Sequence, residues 1–439
     1  MRLPGILRAR AGSLTTDSMS LIATSGLTAV VGIGFWALAA RLIAPDVLGI
    51  ETALLSLMTT AGMIAALGPG NALTAMLPTS KIADRPRHIR IGVLTVVIVA
   101  VGAGAVAGIA ASVTIRGAHA ESTIPYVIIG TVVMAFFSMK DAVLTALSAA
   151  RFLPPVNLAS GVAKMALLPA FIFFAVPDAA VSTTLVTSAI ALLVVWVFML
   201  PRVIDLQSPG AQFERVHETA AFLRFSIRDG AASVVSMGTV AGAPFLATWL
   251  AGPAQGAMVA LMLPLSNGPD FVTIGNSTAL LKHLTTSPNP RALILKVWWT
   301  TQALVAAIAV VLLFVVSPVL LRVFGENYDR RTLWAILGLL AVGSVARVSF
   351  LIWESVLRAT LQIRVLLISN LCVSVAMVPI LILATLRWGA IGTAGALAVN
   401  AVLMSAAGVV GLRRILKHLK ESDLTGTCGH GPEVGAAVA

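Results

Sequence analysis

ARLIAPDVLGIETALLSLMTTAGMIAALGPGNAL, Ala40 to Leu73, returns in weakened form as ATWLAGPAQGAMVALMLPLSNGPDFVTIGNSTAL, Ala247 to Leu280. Eight positions are identical between the copies, and two of them are glycine pairs, Gly49 with Gly256 and Gly68 with Gly275. Those pairs carry most of the weight, because Ala and Leu coincide cheaply in an apolar chain. Glycine at such places gives backbone freedom at a turn and close approach between helices. The same offset of 207 residues carries the later apolar segments of the first half onto those of the second. One membrane unit is therefore written twice, a plan of parallel repeats that secondary transporters use, with substrate held between the halves.

Composition supports a membrane setting. Of 439 residues, 58% are hydrophobic and 11% charged, and the mean hydropathy is +0.97, outside the range of soluble domains. Apolar runs of about 20 residues, enough to span a bilayer, begin at Met19–Ala40, Leu48–Leu67, Ile91–Val113, Ile124–Leu147, Val156–Val176 and Val181–Leu200. Six more follow at Ile227–Leu250, Gly256–Leu280, Val297–Pro318, Thr332–Leu351, Val365–Ala384 and Trp388–Gly411.

Charge placement tests this count, since Lys and Arg accumulate in cytoplasmic loops. With the N-terminus inside, 22 of the 30 Lys and Arg fall on the inner side and 6 on the outer side. Lys164 and Arg347 fall inside spans. One missed helix would scramble every later loop, so the bias predicts an all-α integral membrane protein of twelve transmembrane helices in two parallel six-helix repeats, both termini cytoplasmic. The organisation expected is a first bundle over 1–205, a cytoplasmic linker over 206–226, a second bundle over 227–420 and a disordered cytoplasmic tail over 421–439. The formal charge of +12 is spread loop by loop along one membrane face, which argues against nucleic acid as a partner. Ala37-Leu38-Ala39 resembles a signal-peptidase site, but the preceding run is too long for a signal h-region and reads as a retained helix. The two cysteines, Cys372 and Cys428, make no framework, and the six histidines have no metal-ligand spacing. No cofactor or metal is expected.

Several local patterns resemble the polysaccharide-transporter and O-antigen flippase family, within the superfamily that also holds the multidrug-and-toxin extruders (MATE) and the lipid II flippases. They are the first-loop pattern Arg41-Leu42-Ile43-Ala44-Pro45-Asp46-Val47-Leu48-Gly49, FGENY at Phe324 to Tyr328 followed by Leu333-Trp334-Ala335-Ile336-Leu337, Asn370, and WGAIGTAGALAVN at Trp388 to Asn400. The family's usual aromatic after the first-loop glycine is absent, and Ile50-Glu51 stand there instead. The resemblance implies a MATE-like fold and a flippase of the bacterial cytoplasmic membrane. Its substrate would be a polyprenyl-diphosphate-linked oligosaccharide, moved by alternating access for cell-surface polysaccharide biosynthesis. Membrane lipids and envelope glycosyltransferases or a polymerase would be its partners. A cation-coupled multidrug extruder is the alternative transporter. It calls for several cavity carboxylates, which the spans do not offer. A membrane-embedded glycosyltransferase or polymerase needs catalytic residues in a sizeable outer loop, and the outer loops are short.

Ionisable residues inside spans cost about 2.5–3.5 kcal/mol on insertion scales, so each marks a candidate site. Lys140 lies near 24 Å from the outer end of its helix at about 1.5 Å per residue. Arg347 holds the equivalent place 207 residues later. Together they can frame an anionic group such as a diphosphate; the competing reading is that both snorkel to inner headgroups, with Asp141 neutralising Lys140. Lys164, roughly 12 Å from the inner end of its span, is a third candidate for the anionic headgroup. Asp270, beside the helix-breaking Pro269, is the candidate for coupling to H⁺ or Na⁺, against a kink in which it merely pairs with a cation. Arg41 and Glu51 flank the first outer turn as an outer-gate pair, or as an ordinary interfacial salt bridge. Trp298, Trp299, Trp334, Trp353 and Trp388 fall near span ends and read as an aromatic belt.

Overall fold

The computed structural model describes residues 30–77, 80, 84–116, 120–147, 149–205, 219–266, 268–284, 289–324, 327–360 and 362–424. Among them the secondary structure is helical, with no strand. In chain order the helices are α1 (Val30–Leu42), α2 (Pro45–Met76), α3 (Arg85–Ala111), α4 (Ala120–Ala146), α5 (Leu153–Phe173), α6 (Ala179–Leu193) and α7 (Leu200–Asp205). Then come α8 (Thr219–Ala241), α9 (Ala243–Ala251), α10 (Pro253–Ser266), α11 (Gly268–Leu284), α12 (Pro290–Val311), α13 (Ser317–Val323), α14 (Arg330–Ala359) and α15 (Ile363–Leu424). Proline stands within the first two positions of several of them, among them Pro45, Pro86, Pro154, Pro244, Pro253, Pro290 and Pro318. There its fixed φ suits the helix and its missing N–H costs nothing.

Nine helices among the described residues are long and apolar enough to cross a membrane, and the twelve expected spans all have helical counterparts. Three counterparts differ for identifiable reasons. The expected start of the first span, 19–29, lies outside the described residues, as do most of the expected linker, 206–218, and the tail from 425 onward. The seventh span, α8, carries Arg224, Arg228 and Asp229, which lower its apolarity. The last two spans form one helical stretch, α15, interrupted at Gly389 with φ 58° and ψ −136°. The hydroxyls of Thr385 and Thr393 meet at 2.9 Å, whereas eight residues along an unbroken helix cover about 12 Å. The chain therefore reverses at Gly389, whose positive φ suits glycine.

Burial follows the repeat. The second and eighth spans are 61% and 67% buried, the third and ninth 28% and 22%, and the fourth and tenth 50% and 56%. Equivalent helices thus hold equivalent places within their own halves. The chain divides into two compact units, Met1–Ala260 and Leu261–Ala439. This division lies inside α10, later than the linker read from the sequence, because α8 and α9 pack against α2. In the first unit, Leu73, Val96, Met139, Val143 and Phe222 share one core and Leu54, Met58, Val127 and Val181 another. In the second, Val305, Val348, Phe350, Trp353, Met404 and Leu412 form the core, the last two from the returning limb of α15.

The aromatic-belt expectation holds in part. Trp299, Trp334 and Trp388 are exposed, but Trp353 is buried against Phe350 and Trp298 donates its ring N–H to Ser349 Oγ at 3.1 Å. Trp353 is thus an interior residue of α14, and Trp298 of α12 is partly buried against the same core. His88 is buried at the start of α3, its Nδ1 3.0 Å from the Asp84 carbonyl.

Candidate functional site

The eighth span carries an ionisable residue, Asp270, where its first-half counterpart has Met63. In the first half α2 runs unbroken for 32 residues through Pro69. In the second, the corresponding segment is helical over α10, to Ser266, and over α11, from Gly268, with position 267 outside the described residues. On α11, Asp270 directly follows Pro269.

Asp270 is buried, and its Oδ2 accepts from Arg347 Nη1 of α14 at 2.9 Å. Its Oδ1 is buried with no hydrogen-bond partner among the described residues. Ser344 stands on the same face of α14, but its hydroxyl donates to the Ser266 carbonyl at 3.0 Å. The Arg347 side chain keeps 30% of its surface exposed against 9% for Asp270, so the cation is the accessible partner. A Cβ built at Gly268 or Gly275 meets nothing within 4 Å, so this flank of α11 borders open space. The structure thus joins two residues that the sequence had given separate roles.

Around this pair is a polar layer that no motif announces. Asn276 donates to Thr301 Oγ1 at 2.8 Å and Gln302 to the Val345 carbonyl at 3.0 Å, while the buried Thr273 hydroxyl has no partner among the described residues. The only signal in sequence was amides and hydroxyls recurring within otherwise apolar spans.

In the first unit, Lys140 is fully buried. Its Nζ donates to Asp141 Oδ1 at 2.5 Å and to Asn157 Oδ1 of α5 at 2.9 Å, and lies 3.8 Å from the Phe137 ring centroid. No part of it is open to a ligand in this conformation, and it ties α5 to α4. Lys164 sits farther along α5, half-buried, its Nζ 5.3 Å from the Phe35 ring centroid and without an ion pair among the described residues.

Glu51 is buried and accepts from the Ala180 backbone N–H at 2.6 Å. It thereby caps the start of α6, where Asp178 has φ 50°. Arg41 is exposed at the end of α1. The repeat's glycines separate into two kinds. A Cβ on Gly49 would stand 1.8 Å from the Pro253 carbonyl oxygen, and one on Gly256 1.8 Å from Thr248 Oγ1. Gly68 faces the Ser226 carbonyl of α8 at 2.1 Å, whereas its counterpart Gly275 is open. An apolar groove of about 520 Å³ runs along α14 and both limbs of α15, from Leu339 and Ile380 to Leu403, with no charged lining. No set of His, Cys, Asp or Glu among the described residues is placed to hold a metal ion.

No protein-family model and no curated protein matches the chain. Solved structures do. The chain is similar to the inward-facing conformation of a multidrug resistance MATE family transporter of the MOP superfamily, with 15% identity and a TM-score of 0.68 over 90% of this chain and 95% of that one. It is similar to a MOP superfamily transporter from Pyrococcus furiosus, with 14% identity and a TM-score of 0.59 over 92% and 95%; the reverse polarity of that protein's binding pocket is said to suggest a different function. The outward-facing conformation of a multidrug resistance MATE family transporter aligns with a TM-score of 0.57 at 14% identity, over 92% of this chain and 95% of that chain. The fold is that of the MATE transporters of the MOP superfamily, the superfamily to which the sequence resemblance points.

Proposed function

We propose that the protein is a flippase that moves a polyprenyl-diphosphate-linked oligosaccharide across a bacterial cytoplasmic membrane by alternating access, with both termini on the cytoplasmic side and six-helix bundles over 1–205 and 227–420. The observation that carries this reading is the accessible cation deep in a span, Arg347, with Lys164 a second cation that has no ion pair among the described residues. Cations so placed suit an anionic headgroup. Arg347, the most accessible member of its pair, makes the first contact, with Lys164 as a second; Lys140 joins only in a conformation that uncovers it. The motifs at Arg41 to Gly49, Phe324 to Tyr328 and Trp388 to Asn400 support the sugar-lipid class.

The need for such a protein is physical. Each sugar hydroxyl taken unpaired into hydrocarbon costs several kcal/mol, so unaided crossing is negligible. A diphosphate with about two negative charges gains roughly 4.6 kcal/mol per 100 mV on moving outward from a negative interior, so the membrane potential can drive export. In proteoliposomes, Arg347→Ala should lose translocation of lipid-linked oligosaccharide while remaining monodisperse; translocation at the wild-type rate refutes the anionic-headgroup site.

The cation-coupled drug extruder is the second reading, favoured by the structural neighbours described as multidrug resistance transporters. Its test is accumulation of a cationic dye in the same proteoliposomes.

A further inference from the structure

Asp270 presents two unlike oxygens. Oδ2 holds Arg347 Nη1 at 2.9 Å, and Oδ1 is buried without a partner among the described residues. We propose that the pair is a proton-gated anion site: a proton taken up at Oδ1 discharges the carboxylate and frees the Arg347 guanidinium for a phosphate-bearing ligand, so that proton and anion bind together. The idea rests on the anionic-cargo reading above and adds to it the rule by which the site loads.

The geometry assigns the parts. A carboxylate and a phosphate compete for the same planar donor, since each is an acceptor suited to bidentate guanidinium binding. With Asp270 ionised, Arg347 is neutralised and the ligand must break a charge-assisted hydrogen bond to enter. With Asp270 protonated, the Arg347 charge is uncompensated, and an arriving anion supplies the missing partner. The proton remains on Oδ1 and no bond other than that O–H forms. Access fits this order: Arg347 is the exposed member of the pair, and the α11 flank at Gly268 is open.

Few other charges compete. The helices packed on α11 are α12 and α14, with α10 preceding it, and α10 carries no charged residue. On α14, Glu354 and Arg358 pair with each other at 2.6 Å, and Arg330 and Arg331 open the helix; on α12, Arg291 and Lys296 lie in the first two turns. Asp270's own helix carries Lys282 and His283 near its end. Among the described side chains, Arg347 is the charged group that reaches Asp270.

By linkage, the anion then raises proton affinity at Asp270 as much as the proton raises anion affinity. One proton travelling with a doubly charged headgroup would halve the charge moved per cycle, and with it the pull of the membrane potential.

The test uses the full chain in detergent with inorganic pyrophosphate as the probe, read by calorimetry from about pH 8 down to about pH 5.5, across which one unit of apparent pKa corresponds to tenfold in binding. Asp270→Asn should bind about tenfold more tightly than wild type at the alkaline end, and the ratio of the two affinities should fall as the pH is lowered. Taking the ratio cancels the ionisation of pyrophosphate itself. Arg347→Gln should remove binding in both backgrounds. A ratio that stays constant with pH, or an Asp270→Asn protein that binds more weakly than wild type, overturns the proposal. Should Asp270→Asn not fold, Asp270→Ser makes the same comparison. The flippase reading is judged separately, by lipid-linked oligosaccharide translocation. Loss of that activity with an intact pyrophosphate ratio leaves a proton-gated anion site with another cargo. Weaker cationic-dye binding in Asp270→Asn, with no pyrophosphate binding, overturns both readings in favour of extrusion.

Discussion

Gly68 and Gly275 occupy the same place in the repeat, and replacing each by alanine should give opposite results. At Gly68 the new Cβ would stand 2.1 Å from the Ser226 carbonyl oxygen and 3.1 Å from Gly230 Cα. Both obstacles are backbone, so no rotamer relieves the clash, and α2 and α8 must move apart by more than an ångström. Overpacking of this kind costs about 1–3 kcal/mol, and a backbone obstacle argues for the upper part of that range. At Gly275 the Cβ meets nothing within 4 Å, and alanine in a helix interior gains about 1 kcal/mol over glycine. The variants should differ by about 2–4 kcal/mol, Gly68→Ala below wild type and Gly275→Ala at or above it. Thermal unfolding of the purified chain in one detergent, followed by circular dichroism, measures the order. Equal loss at both positions, or a Gly68→Ala protein as stable as wild type, would refute the account of α2 packing on α8.

Other expectations follow from single contacts. Glu51→Ala removes the acceptor for the Ala180 N–H and should lower stability by about 2 kcal/mol, with Glu51→Gln losing less; the same unfolding assay reads both. Asn157→Ala removes the link from Lys140 to α5, and hydrogen exchange should rise in α5 more than in α4. Asp329 caps α14 through the Thr332 hydroxyl and the backbone N–H groups of Thr332 and Arg331, which hold its carboxyl below the usual value. A depressed folded pKa stabilises above the unfolded value near 3.9 and is lost as pH falls through the folded one. The deficit of Asp329→Ala in thermal midpoint should therefore be present at neutral pH, begin to shrink near pH 4 and vanish only once the pH is below the depressed folded value.

Much of the fold was legible because hydrophobic span length and charge bias are properties of the chain itself. The 207-residue offset makes α2 the equivalent of α10 and α11, and α4 the equivalent of α14. What the sequence hid were choices of partner. Glu51 reads as a neighbour of Arg41, and its carboxylate also reaches a backbone amide 129 residues away; an N–H leaves no trace in a residue pattern. Lys140 and Arg347 are equivalent by offset, but Lys140 is enclosed by Asp141, Asn157 and Phe137, while Arg347 faces a carboxylate that the first half lacks, Met63 standing where Asp270 would be. Trp353 counted as a belt residue because it lies near a span end, and only packing against Phe350 and the core of the second unit makes it interior.

The reversal at Gly389 bears on how the chain is made. With one non-helical residue between its limbs and the hydroxyls of Thr385 and Thr393 satisfying each other, the final two spans have no connecting loop to be threaded across the bilayer alone. They are suited to leave the insertion machinery as a pair, each limb covering polar groups that hydrocarbon would not accept singly. Truncation after Trp388 should therefore yield an unstable nascent chain rather than an eleven-span protein, and an epitope tag inserted at the turn should block biogenesis where one at the C-terminus does not.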